Sequence, residues 1–163
     1  MGKRRLFGLL NLALADGYIA NFDTKAHYNR WRPITAIREA ATDGNPDTSA
    51  DPTWTPLADT PAGPEYDSGH SLEGGAAAQI MQHFFGADNI GFTTCSTTMP
   101  AGSTCNDAHP VTRSFTSFSQ AAEENALSRI LVGFHFRNAI NQGLEHGRQI
   151  GHHTFVHYLR PLR

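Results

Sequence analysis

Apolar residues recur at helical intervals along most of this chain. Leu6, Leu9, Leu10, Ala13, Leu14 and Gly17 fall three or four residues apart, which predicts a helix over about 4–22. Arg32 precedes Pro33, and a residue before proline disfavours helical geometry. Pro33 itself suits the first turn of a new, short helix carrying Ile34, Ile37 and Arg38. Pro46, Pro52, Pro56, Pro61 and Pro64 then mark a long irregular segment over 43–67. A helix opens near Ser68 and runs through Ala76, Ile80, Met81, Phe84 and Phe85 to Gly86. Its small face, Gly74 to Ala78, invites another helix to pack closely.

Residues 87–112 are a second irregular stretch. A helix starting at 117–119 carries Ala122, Ala126, Leu127, Ile130, Leu131 and Phe134, and Gly133 kinks or ends it. A last helix spans about 136–159. No period-two alternation, repeat or low-complexity tract stands out. The expected fold is all-α, a helical bundle with two long irregular loops, forming one domain over 1–163.

Composition narrows the function classes. With 163 residues, 39% hydrophobic and 17% charged, the chain can bury a real core. A net charge of −2 gives no global basic field for nucleic acid, so any cationic site is local. No apolar run is long enough to span a membrane. Lys3-Arg4-Arg5 followed by Leu6–Ala15 has the outline of a signal peptide. Gly8 and Asn11 interrupt it, however, and the pattern continues into Tyr18, Ile19 and Phe22, which favours a helix. Cys95 and Cys105 bracket a loop rich in Ser, Thr, Gly and Pro. A local disulfide there suits an oxidising compartment, secreted or periplasmic; the alternative is two unpaired thiols.

Candidate chemistry lies in three ordered motifs. Lys25-x6-Arg32-Pro33 supplies two cations, which two helical turns would place on one face. Ser68-Gly69-His70 sits where a helix begins, with unpaired N–H groups and a positive dipole end suited to an anion. Gly69 allows close backbone approach, although Ser68 also reads simply as a helix cap. Ser128-Arg129-x5-His135 adds a third cation and a second imidazole inside an apolar helical run. Together they describe a pocket for a tetrahedral oxyanion, whose burial demands that much compensation.

These motifs, in this order, resemble the type-2 phosphatidic acid phosphatase superfamily, and especially its vanadium-dependent haloperoxidase branch. The likeness rests on Lys25-Ala-His-Tyr-Asn-Arg-Trp-Arg-Pro33, Pro64-Glu-Tyr-Asp-Ser-Gly-His-Ser71 and Ser128 to Arg137. It implies that Lys25, Arg32, Ser68, Gly69 and Arg129 hold the oxygens of vanadate, or of phosphate in the same pocket. His135 would be the axial vanadium ligand, or the nucleophile of a phosphatase, and His70 the acid–base group. The implied reaction is oxidation of halide by hydrogen peroxide at a histidine-bound vanadate. Hydrolysis of a phosphate ester is the alternative.

Three positions depart from that pattern. Position 67 is Asp where the family usually has Pro, so a carboxylate would sit beside the anion site. Ala139 stands where an acidic residue often follows the histidine, leaving His135 without an evident orienting partner. Gly63 occupies the place of a bulky ring tied to halide choice. Family members also carry helices before the first motif, so self-association, as a dimer, is expected to cover apolar faces here. A catalytically inactive anion-binding domain fits the same departures. His146, His153 and His157 share one helical face and raise a separate metal-site reading.

Overall fold

The structure is a computed structural model that describes residues 2–95, 105 and 110–160. Five α-helices form the bundle: α1 (Gly2–Tyr28), α2 (Pro33–Arg38), α3 (Gly69–Phe85), α4 (Phe118–Leu131) and α5 (Arg137–His157). A single 3-10 turn, Ala40–Thr42, follows α2. The all-α expectation holds, with one difference. A small antiparallel pair begins within the second irregular stretch and ends just past it, β1 (Phe92–Cys95) and β2 (Thr112–Phe115), in which Phe92 faces Phe115 and Cys95 faces Thr112. Its strands are four residues each, too short for a period-two signal to register. The expected Cys95–Cys105 disulfide is formed beside it.

Local signals set the helix ends. Ser68 caps α3, accepting from the Ser71 N–H, and Gly86 closes it at φ 74° in the left-handed region. Ser117 caps α4, accepting from Gln120 N at 3.0 Å. Gly133, at φ 86°, turns the chain out of α4 and into α5. The first helix runs six residues further than the hydrophobic pattern predicts, because its buried stripe ends in polar groups. Leu9, Ala13, Gly17, Asn21 and Lys25 form one line at a four-residue spacing, all buried. Asn29, at φ 44°, then breaks the helix, so Arg32 does not continue the face of Lys25. It sits instead in extended backbone as the residue before Pro33.

Helix α3 is central. On one side Ala76 and Ile80 pack with Leu9 and Ala13 of α1; on the other Ala78 packs with Phe118, Ala122, Ala126, Ile140 and Leu144. Against α5 the approach is backbone to backbone. A Cβ on Gly147 would lie 2.0 Å from the Leu72 carbonyl oxygen, and one on Gly75 would lie 2.3 Å from that of Leu144. Ala139, Gly143, Gly147 and Gly151, four residues apart, make up the buried small stripe of α5. This explains Ala139: it opens the stripe, and its carbonyl accepts from Ser68 N at 3.2 Å.

The stripe yields the first prediction. Gly147→Ala gains about 1 kcal/mol of helix propensity but forces two backbones apart, an overpacking cost at or above the usual ~1–3 kcal/mol. Thermal unfolding should fall by roughly 5 °C or more. Gly91→Ala, whose Cβ would make an ordinary 3.5 Å contact with Phe115 O, should leave the melting temperature nearly unchanged. Equal melting temperatures for the two variants would refute the close-approach argument.

Candidate functional site

A cavity of about 330 Å³ opens between α1, the end of the first long loop, the start of α3 and the α4–α5 turn. Lys25, Arg32, Gly69, His70, Arg129 and His135 all line it, so six of the seven site residues expected from sequence converge. Ser68 does not line it. That residue is fully buried, and its Oγ accepts from Ser71 Oγ at 2.9 Å as well as capping the helix. Its part in the site is to start α3 where Gly69 and His70 reach the cavity wall.

His135 is held by both ring nitrogens. Arg32 Nη1 lies 3.0 Å from Nε2, and a guanidinium can only donate, so Nε2 must accept. The single proton of the neutral ring is therefore on Nδ1, which donates to Glu65 Oε1 at 3.1 Å. The same oxygen accepts from Phe136 N at 2.9 Å. Burial lowers the pKa of His135, opposed by its hydrogen bond to Glu65 and reinforced by Arg32 and Lys25. The ring is neutral near pH 7. Its Nε2 lone pair faces the cavity wall that Arg32 shares.

Glu65 is thus the orienting carboxylate that Ala139 does not supply. Sequence reasoning quoted it within the second motif and gave it no role. The only available signal was a carboxylate three residues before Ser68 in a segment expected to border the site. Which histidine it would meet, 70 residues away, is a tertiary fact.

The cations are compensated by backbone oxygen. Lys25 Nζ donates to the carbonyls of Pro64 at 2.9 Å, Glu65 at 3.1 Å and Asp67 at 2.7 Å. All three ammonium protons are used. Burial first, then Arg32, lowers its pKa to about 8. Arg32 Nε donates to Gly63 O at 3.1 Å and Nη1 to Phe134 O at 3.2 Å, which leaves Nη2 unengaged. Arg129 stacks on Phe134 at 4.8 Å, and its buried Nε has no hydrogen-bond partner. An orphaned guanidinium donor beside Arg32 and a neutral imidazole is the arrangement an oxyanion completes. His70 is exposed at the mouth, its pKa lowered by partial desolvation and then by Arg129.

Asp67 does not repel an anion from this cavity. Its carboxylate points to the other side of the segment, where Oδ1 accepts from Asn21 Nδ2 and Oδ2 from His146 Nδ1 at 2.9 Å. The metal reading of the last helix also dissolves. His146 is committed to Asp67, His157 Nδ1 bonds the His153 carbonyl at 2.9 Å, and no metal-holding cluster occurs among the described residues.

Comparison with known proteins places this geometry. Residues 5–163 match the family model described as the VCPO second helical-bundle domain. A vanadium chloroperoxidase of Curvularia inaequalis is 28% identical over 170 aligned positions, covering 82% of this chain and 27% of that protein. A solved bacterial vanadium-dependent iodoperoxidase superposes with a TM-score of 0.75 at 37% identity, over 95% of this chain and 33% of that one. A bacterial vanadium-dependent chloroperoxidase in its holo form shares the fold, with a TM-score of 0.71 at 23% identity over 91% of this chain and 34% of that one. The chain therefore spans about a third or less of each of these relatives, and from its helices, its convergent motifs and this match it belongs to the second helical-bundle domain family of the vanadium haloperoxidases.

Proposed function

We propose that the cavity binds vanadate and serves a haloperoxidase reaction, in which hydrogen peroxide oxidises a halide. The observation that carries this reading is His135: neutral, held at Nδ1 by Glu65, with its Nε2 lone pair turned to the Arg32 guanidinium in a cavity that Arg129 also lines. The donor set fits vanadate. His135 Nε2 would be the protein's ligand to the metal, giving up its hydrogen bond from Arg32 Nη1, which would turn to a vanadate oxygen. The free Nη2 of Arg32, the orphaned Nε of Arg129 and the N-terminal N–H groups of α3 at Gly69 would hold its oxygens. Bound vanadate supplies a Lewis acid that activates peroxide toward attack by halide.

The protein's own contributions are separable. Arg32, Arg129 and Lys25 offset the negative charge of the oxyanion in a place too dry for water to do so. Glu65 keeps the imidazole in the tautomer that offers Nε2. His70, at the mouth and near Arg129, can pass a proton between solvent and a cavity oxygen. Phe22, Ala26, Pro61, Ala62 and Pro64 give the rest of the wall an apolar surface that thins the water there. Asp67 and Ala139 both have structural employment, so neither speaks against an anion in the cavity.

The ordering of variants tests the assignment. His135→Ala should abolish vanadate binding. Arg129→Ala should weaken it by about one to two decades, the value of about 1.5–3 kcal/mol for a charge-assisted bond set. His70→Ala should spare affinity and cost about 10²–10⁴ in turnover. Calorimetry and bromide or iodide oxidation assays check each. Loss of affinity in His70→Ala comparable to that in His135→Ala, with none in Arg129→Ala, would overturn the roles. Hydrolysis of phosphate esters without halide oxidation would move the reading to a phosphatase.

Anion affinity should depend on pH through Lys25. Its folded pKa is lowered to about 8, so the ammonium charge is full below that value and lost as pH rises through it. A bound anion favours the charged form, so affinity should be flat up to about pH 8 and then decline by as much as about tenfold per unit. Molybdate titrations from pH 7 to 10 read this directly, since that probe keeps its charge across the range. Lys25→Met should flatten the decline; a profile unchanged by that substitution would count against it.

Self-association belongs to the same proposal. Phe7, Ile19 and Phe22 of α1 are 62%, 70% and 67% exposed, more than single apolar residues need. Sedimentation at micromolar concentration should show a dimer, and a clean monomer would exclude it.

A further inference from the structure

Resting on the oxyanion reading, we propose that His146 and Asp67 are the positioning residues of this site: their hydrogen bond, on the far side of the 64–67 segment from the cavity, holds that segment on Lys25 and His135. The segment has no regular secondary structure, yet it carries every carbonyl that binds Lys25 and the carboxylate that sets the His135 tautomer. Something must fix it to a fraction of an ångström. At its start, Arg32 Nε grips Gly63 O and Glu65 N donates to Arg30 O at 3.0 Å. At its end, Ser68 N donates to Ala139 O.

Between those anchors Tyr66 packs on Tyr28 at 5.0 Å and under Arg30 at 4.9 Å, and the Asp67 side chain is the buried polar tie to α1 and α5. It is 1% exposed and reaches two helices at once. Asn21 Nδ2, from α1, donates to its Oδ1 and at 3.0 Å to its carbonyl oxygen. His146 Nδ1, from α5, donates to its Oδ2. The Asp67 carbonyl, so held, is also the acceptor nearest Lys25 Nζ. A buried carboxylate stripped of one partner is costly and will move to find another. Such a movement would carry its own carbonyl off Lys25 and displace Glu65 two residues away. His146 lies outside the oxyanion cavity, among Thr24, Tyr28, Tyr66, Gln142, Glu145 and Gln149, so it acts on the anion only through this segment.

The partner must donate from the Nδ1 position, which the amide of Asn reproduces and Ala lacks. The test uses the full chain with His146→Ala and His146→Asn. The side chain of Lys25 is titrated by NMR, and molybdate affinity is measured by calorimetry. Wild-type Lys25 titrates at about 8. In the Ala variant it should fall further below the ordinary lysine range, because the carbonyls that stabilise the buried ammonium draw away. Molybdate affinity should fall about tenfold or more, as is usual when a supporting partner is removed. The Asn variant should restore both, although it carries no charge.

A Lys25 titration unchanged in His146→Ala would overturn the proposal. So would an Asn variant that behaves like Ala, since the charge of His146 and not its hydrogen bond would then matter. Should the Ala variant fail to fold, His146→Gln, whose amide sits one carbon further out, takes its place with the same expected direction. If the wild type binds no molybdate, the oxyanion reading fails, while the titration of Lys25 still decides the positioning role.

Discussion

The architecture depends on how closely α3 and α5 approach. Their backbones touch where Gly147 meets the Leu72 carbonyl and Gly75 meets that of Leu144. A contact this tight cannot slide, because side chains of neighbouring turns interlock on either side of it. It fixes the start of α3 beside the start of α5, where Ser68 N bonds Ala139 O. Those two helix starts carry Gly69 and His70 on one side and His135 on the other. The catalytic geometry proposed here is therefore set by residues without side chains, several turns from the cavity.

The second constraint is the desolvation of cations. Lys25 and Arg32 are each 8% exposed, and a bare charge so placed would cost several kcal/mol. Backbone carbonyls repay it: three on Lys25, and those of Gly63 and Phe134 on Arg32. Since carbonyls belong to the chain, solvating the cations also shapes the chain. The Pro-rich loop is drawn in over Lys25, and the turn after Gly133 is drawn in over Arg32. Arg129 differs, because its Nε is buried with nothing to bond. Two cations build the cavity and the third is left for what enters it.

Much of this was legible in the sequence. Helix starts and stops announce themselves locally through Ser68, Gly86, Ser117 and Gly133, each acting within a few residues of itself. The three motifs converge because each holds its chemistry near a helix end. What escaped is what depends on a distant partner. Lys25 lies beyond the apolar pattern of α1, yet it and Asn21 are buried because Asp67 and the carbonyls around it wait there. Ala139 looked like a lost carboxylate when taken with its motif. It belongs instead to a four-residue stripe with Gly143, Gly147 and Gly151, visible only once α5 is known to meet backbone. Ser68 carried two readings, cap and ligand, and the cap is what its buried hydroxyl serves.

Glu65 and Asp67 show why residue type alone could not assign these roles. Two residues apart in an irregular stretch, they meet different histidines, Glu65 reaching His135 and Asp67 reaching His146. The side chain of His135 is 4% exposed and stands beside Arg32 and Lys25. Desolvation and neighbouring cations outweigh its carboxylate, so its pKa falls and the ring stays neutral. His146 is 31% exposed on its side chain, and the charge acting on it is that of the Asp67 carboxylate. There the carboxylate wins and the pKa rises. Under the proposed function one pairing would offer a lone pair to a metal and the other would fasten a segment, and the difference lies in water and nearby charge. A carboxylate at position 67 would then support anion binding by facing away from the anion, provided α5 presents a donor to receive it.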